Sequence, residues 1–263
     1  MRWLDRERAG GALAYGPKST GSTLSSQARI GYPNVLVSMA FQSFVFHDRR
    51  DAGRILAGRL QGLDVEAPVI IALPRGGVPV GYEVARALDA PMDVGLVRKL
   101  GAPGQPELGI GALGEDGTVV LDEEALASGL VTRAQIERTV AREAAELERR
   151  RRLYRGDLPA IDVGDRTVLV IDDGIATGVT AAAATQVLRA RGAARIVVAV
   201  PVCSIGASER LRDQLDELIC LERPARFGGV GAWYDDFSQT ADREVITLLR
   251  ASRSPRRELD QRR

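Results

Sequence analysis

The sequence has one histidine, His47, and two cysteines, Cys203 and Cys220. A structural zinc site takes about four nitrogen or sulfur ligands, and these residues are too few to supply them. The cysteines have no C-x-x-C spacing and stand in apolar runs, VVAVPVCS and ELICLE. They read as buried free thiols that suit a reducing cytosol, not as a disulfide framework. A Ser-His-Asp triad would have to use His47, and nothing places His47 near a nucleophile elbow. No apolar run approaches the roughly 20 residues that span a bilayer. The opening MRWLDRERAGG lacks the apolar core of a signal peptide. The expectation is a cytoplasmic protein with no membrane partner. Neither sign of charge prevails: 36 Lys and Arg against 35 Asp and Glu give a net charge of +1. That balance argues against a nucleic-acid partner.

What is present is ordinary globular material, with 45% apolar and 27% charged residues over 263 positions. Residues 1–40 are rich in Gly, Ser, Thr and Arg without a sustained period and read as a flexible extension. Met39, just before the patterned part, is a candidate start of translation. Residues 41–250 read as one domain, and 251–263 as a disordered polar tail. Asp48 is placed to cap a helix with Ile55, Leu56 and Leu60 on one face. Strand PVIIAL (68–73) is followed by the turn PRGG and a helix over 78–89. Strand DVGLVR (93–98) leads into a Gly/Pro-rich loop over 99–117, then strand TVVLD (118–122). A long charged helix fills 132–155. Its run ERRRRLYR has acidic residues interleaved around it, so it reads as a solvated face and not as an RNA patch. Strands at 166–172, 195–201 and 217–222 alternate with helices, and several are apolar on both faces. That pattern signals a parallel sheet covered on both sides.

Ligands of such sheets bind beyond the carboxyl ends of the strands. Two loops there carry chemistry. In VLVIDDGIATGVT (168–180) a buried strand ends in Asp172 and Asp173, and small residues with Thr177 and Thr180 open a helix. Small residues let amides close on a phosphate, and the helix N-terminus adds about half a positive charge. Two carboxylates beside a phosphate cradle make sense if they accept hydrogen bonds from sugar hydroxyls or face Mg²⁺ on a diphosphate. The segment therefore reads as a cup for ribose 5-phosphate. In ALPRGGVPVG (72–81), Arg75 offers a cationic fork, and Gly76 and Gly77 permit a sharp turn. A third feature, Gly109-Ile-Gly111-Ala-Leu-Gly114, satisfies G-x-G-x-x-G. A strand follows it where a dinucleotide fingerprint needs a helix, so NAD binding is rejected.

The run 168–180 resembles, along its whole length, the motif for 5-phosphoribosyl 1-diphosphate (PRPP) of type I phosphoribosyltransferases. The resemblance covers about residues 44–250 and looks most like a predicted bacterial group. It implies the type I phosphoribosyltransferase α/β fold: a mostly parallel, doubly wound sheet with a mobile loop and a small C-terminal hood at about 223–240. It implies that Asp172 and Asp173 bind the ribose hydroxyls and meet Mg²⁺ indirectly, through PRPP or water. Gly174, Ile175, Ala176, Thr177, Gly178 and Thr180 would hold the 5-phosphate. Pro74, Arg75, Gly76 and Gly77 would form the diphosphate loop, often built through a cis peptide. Lys99 would touch the diphosphate, and Glu107 would act as acid or base from the mobile loop. Phe227, Trp233, Tyr234, Asp235 and Asp236 would make the acceptor hood, although they also read as a mini-core anchoring the last helix. A homodimer is usual in the family.

The sequence departs from hypoxanthine-guanine enzymes at Ala176, where those have Asp, and at Val179, where they often have Lys. That argues against a 6-oxopurine handled by their mechanism. Two functions follow from the resemblance. One is transfer of ribose 5-phosphate from PRPP to a nitrogenous small-molecule acceptor with release of pyrophosphate. The other is a non-catalytic sensor of PRPP or a nucleotide.

Overall fold

The computed structural model describes residues 45–63, 65, 67–122 and 131–253, with the backbone alone for 106–108. The expected extension 1–40 lies outside them, as do residues 254–263 of the expected tail. In chain order the elements are α1 (Arg49–Leu60), β1 (Val69–Ala72), α2 (Gly77–Leu88), β2 (Met92–Val94), β3 (Val97–Ala102), β4 (Gln105–Gly114), β5 (Val119–Leu121), α3 (Arg133–Tyr154), β6 (Thr167–Ile171), α4 (Val179–Ala190), β7 (Arg195–Val202), α5 (Ile205–Leu211), β8 (Glu217–Glu222) and α6 (Asp242–Arg253). A short 3-10 turn occupies Val230–Trp233.

Five strands pair in parallel in the order β2-β1-β6-β7-β8. Successive side chains of a strand point to opposite faces. Val69 and Ile71 accordingly pack into one layer with Ala181, Ala184 and Leu188 of α4 and Leu211 of α5. Ile70 and Ala72 pack into the other with Leu56 and Leu60 of α1, Val84 of α2 and Leu248 of α6. Each such aliphatic side chain, fully buried, contributes about 1.5–3 kcal/mol. This two-sided burial is why the strands read as continuous apolar runs and not as alternating ones.

The cap on α1 forms as expected: Asp48 accepts from the amide of Asp51. The buried face is Ala52, Gly53, Leu56, Ala57 and Leu60, however, and Ile55 is an exposed large hydrophobic residue. Neighbours on a helix lie about 100° apart, and Ile55 falls on the solvent side of the stripe that meets α2. The expected strand 93–98 is also divided. Its first part ends the central sheet at β2, where the amide of Gly95 donates to the Ala72 carbonyl at 2.8 Å, and its second part begins a separate sheet.

That second sheet corrects the expected loop 99–117. The segment is an antiparallel hairpin, β3 on β4, with β5 on its other edge. The G-x-G-x-x-G lies inside β4, and a turn and β5 follow it. Leu100, Ile110 and Leu113 join the core with Leu147 of α3, and Ala112 meets Ala183 and Val187 of α4. The hairpin is thus wedged between α3 and α4. Along α3, Glu146 pairs with Arg149 and Arg150, and Glu148 with Arg151 and Arg152. The last turn of α6 extends three residues into the expected tail. Ser252 donates to the Leu249 carbonyl at 2.8 Å, and Arg253 pairs with Asp93 at 2.9 Å.

Both cysteines are free, Cys203 buried and Cys220 half-buried. Among the described residues no helix is long and apolar enough to cross a membrane.

Candidate active site

β1 and β6 are neighbours at the point where the sheet reverses its order: the chain continues outward from β1 to β2 and from β6 to β7 and β8. The loops leaving the carboxyl ends of these two strands diverge and open a crevice. The first loop, 73–76, holds a cis peptide between Pro74 and Arg75 and starts α2. The second, 172–178, starts α4 through Gly178 at φ +79°. No side chain caps either helix. At α2 the first amides are taken, Gly77 donating to the Leu73 carbonyl at 3.0 Å and Val78 to the Arg75 carbonyl at 3.1 Å. A helix start without a side-chain cap, as at α4, is the arrangement that binds anions.

The two loops touch closely. A Cβ built on Gly76 would lie 1.9 Å from Oδ2 of Asp173, and one on Gly77 would lie 2.6 Å from the Ile171 carbonyl oxygen. Gly77→Ala should therefore push the α2 N-terminus away from the end of β6. Overpacking of this kind costs about 1–3 kcal/mol. We expect a lower melting temperature. A variant that melts like the wild type would contradict this close approach.

Asp172 and Asp173 end β6. Oδ1 of Asp172 accepts from the Asp173 amide at 2.9 Å. Arg49, at the start of α1, donates from Nε to Oδ2 of Asp173 at 2.7 Å. Burial holds the Asp172 carboxyl well above the usual carboxylate range, and the neighbouring Asp173 charge adds to this. Burial also raises Asp173, while the Arg49 guanidinium pulls it back. A pair so placed gains from donors that a ligand brings.

A cavity of about 420 Å³ opens beside the start of α4, lined in part by Pro74, Arg98, Lys99, Arg150, Thr177 and Thr180. Lys99 lies on β3 and lines this cavity. Arg98 is held by Glu143 at 2.7 Å and Arg150 by Glu146 at 2.7 Å. Arg75 is a third exposed and leans on the N-terminus of α6, 3.6 Å from Asp242. Tyr154 donates to the same Asp242 carboxylate at 2.7 Å. Burial and that hydrogen bond push Tyr154 up to about 12. Glu107 falls in β4, and its side chain lies outside the described residues.

The hood divides into parts. Tyr234 is buried, stacks with Phe46 and Phe237, and donates to the main-chain carbonyl of Asp173 at 2.5 Å. Its place is in a mini-core that supports the acidic turn, so its ring is not free to stack on an acceptor. The Trp233 indole is half-buried and donates to the Phe227 carbonyl at 3.0 Å. Asp235 and Asp236 are exposed. The amide of Ser238 holds the Asp236 carboxyl below its ordinary range.

Sequence reasoning missed Arg49 and Arg150. Nothing in the chain near Arg49 announces a partner 124 positions away. Arg150 did leave a signal. It stands between Leu147 and Tyr154 at the spacing of the buried stripe of α3, while Arg149 and Arg152 are exposed.

A family model for the phosphoribosyl transferase domain matches residues 47–233. The chain belongs to the phosphoribosyl transferase family. The fold is that of protein TT1426 from Thermus thermophilus, which is 45% identical, with a TM-score of 0.74 over 78% of this chain and 97% of that one. A "Putative phosphoribosyl transferase" of Mycobacterium tuberculosis is 47% identical over 205 residues, which are 78% of this chain and 46% of that protein. The chain therefore spans about half the length of the curated relatives it matches. A ribose-phosphate pyrophosphokinase of Pyrococcus furiosus is 47% identical over 60 residues, 22% of either protein.

Among the described residues no group of three or more His, Cys, Asp or Glu could hold a metal ion. The crevice between β1 and β6 does offer two adjacent carboxylates, Asp172 and Asp173. Mg²⁺ typically binds through one or two carboxylates, substrate phosphates and water. The donor set fits a Mg²⁺ brought in with a diphosphate better than one resident in the protein.

Proposed function

We propose that this phosphoribosyltransferase moves the ribose 5-phosphate group of PRPP to a nitrogenous acceptor with release of pyrophosphate. The observation that carries the reading is the meeting, at the β1–β6 switch point, of paired half-buried acids with the uncapped start of α4. The 5-phosphate would sit on the amides of Ala176 to Gly178 with the Thr177 and Thr180 hydroxyls. The Ile175 amide, expected among them, is instead taken by the Val202 carbonyl at 2.9 Å. The ribose hydroxyls would donate to Asp172 and Asp173. The diphosphate would lie toward the Pro74–Gly77 turn and the cavity side that carries Arg98, Lys99 and Arg150.

As the C1–oxygen bond breaks, the electron pair leaves with the diphosphate, and the acceptor nitrogen forms the new bond to C1. The cations lining the cavity stabilise the charge growing on the leaving group. Mg²⁺, held against Asp172 and Asp173 through the ligand or water, would neutralise part of that charge.

The test is to supply PRPP and Mg²⁺ with a panel of bases and amines and to follow pyrophosphate. Acceptor-dependent release is expected. Tight PRPP binding with no release for any acceptor would replace transfer by sensing.

A further inference from the structure

Arg49 belongs to none of the motifs, yet it joins three distant segments of the site. It begins α1, directly after the capping Asp48. Its Nε donates to Oδ2 of Asp173 at 2.7 Å, and its Nη1 donates to the carbonyl of Ser238 at 2.7 Å. The guanidinium carbon lies 4.0 Å from the centroid of the Phe237 ring and 6.0 Å from that of Tyr234. The side chain is only 11% exposed. Tyr234 in turn holds the Asp173 carbonyl at 2.5 Å. The amides of Asp235 and Asp236 donate to the carbonyls of Phe46 and His47, so the loop that ends at Ser238 is laced to the residues just before Arg49.

A guanidinium is suited to this place because it is a flat fork. It can bond in two directions within its plane while a ring lies on its face. An ammonium can pair with the carboxylate but offers no such plane. Fixing Asp173 also matters for a sugar: a carboxylate that must accept from ribose hydroxyls loses affinity if it has to be ordered when the ligand arrives.

We propose that Arg49 is a positioning residue of the ribose site, which aims the Asp173 carboxylate at the sugar hydroxyls and ties loop 234–238 to the same turn. This rests on the phosphoribosyl reading above. The role is exerted through Asp173, so it should be felt by a ligand that carries the sugar and not by one that lacks it.

Calorimetric binding of ribose 5-phosphate and, separately, of inorganic diphosphate tests this in the full chain. For Arg49→Gln, ribose 5-phosphate should bind about 10- to 100-fold more weakly, the effect of losing a charge-assisted hydrogen bond. Diphosphate should be weakened far less, since Arg49 reaches the diphosphate turn only through Asp173, whose Oδ2 lies against Gly76. Arg49→Lys keeps a cation beside Asp173 and should recover part of the loss. Three results would overturn the proposal: unchanged ribose 5-phosphate binding in the glutamine variant, equal weakening of both ligands, or no recovery with lysine. Wild-type protein that binds no ribose 5-phosphate would remove the phosphoribosyl reading itself, and this role with it.

Discussion

Replacing Asp172 and Asp173 together by asparagine should weaken PRPP binding by about 30- to 1000-fold while leaving the protein folded. Each asparagine keeps an acceptor oxygen but loses the charge that strengthens a hydrogen bond from a hydroxyl. The loss is about 1–2 kcal/mol at each position, hence about 2–4 kcal/mol for the pair. The fold should tolerate the change. Burial raises both carboxyls above their ordinary range. A carboxyl raised in the folded state binds its proton more tightly there than in the unfolded chain. Its ionisation therefore costs stability as the pH rises through the folded value. Neutral amides remove that cost at neutral pH, and the asparagine at 173 still offers Arg49 an acceptor. The melting temperature should hold or rise. Unchanged affinity for PRPP would refute the ribose role of the two acids.

The second large effect concerns stability and comes from the far side of the hairpin. Arg155, just after α3, is buried with side-chain exposure of 2%, against Asp93 at 2% and Glu115 at 6%. Its Nε donates to Asp93 at 3.2 Å, its Nη2 donates to Glu115 at 2.8 Å and to the Val94 carbonyl at 3.3 Å, and its Nη1 also donates to Glu115. Asp93 further accepts from the Ile161 amide at 3.0 Å and pairs with Arg253 at 2.9 Å. Burial alone would lower the Arg155 pKa, but the Glu115 hydrogen bond and the Asp93 charge outweigh it and raise it.

Arg155→Met keeps much of the volume, takes the cation from buried Glu115 and leaves Asp93 with Arg253 and backbone amides. Removing one partner of a buried ion cluster costs about 3–5 kcal/mol. The melting temperature should fall by on the order of 10 °C. Because Glu115 sits at the end of β4, the hairpin carrying Lys99 should loosen first, seen as faster amide exchange in β3 and β4 than in β6 and β7. A melting temperature within about 2 °C of the wild type would show that the cluster contributes little.

Much of this molecule was legible because its strands and its ligand loops obey local rules. Val168 to Ile171 form a doubly buried strand, and such a strand declares itself by unbroken apolar residues. Asp172, Asp173 and the small residues after them declare an anion-binding turn by their order alone. The hairpin was hidden by its own requirements. In β4, Gly111 takes φ +154°, and a Cβ there would lie 2.2 Å from the Val120 carbonyl. The strand can pair with β5 only with glycine at that point, and the same glycines gave the segment the composition of a loop. Tyr234 stayed open between hood and mini-core for a different reason. A ring beside two acids looks the same in sequence whether it faces a ligand or the turn beneath it. Arg49 depended on a contact between the start of α1 and the end of β6, which no local pattern encodes.

The account stands or falls on where the sugar goes. A crystal structure with ribose 5-phosphate should place the phosphate on the amides of Ala176 to Gly178 and the 2- and 3-hydroxyls within hydrogen-bonding distance of Asp172 and Asp173. A sugar bound elsewhere, with that turn left empty at saturating ligand, would contradict it.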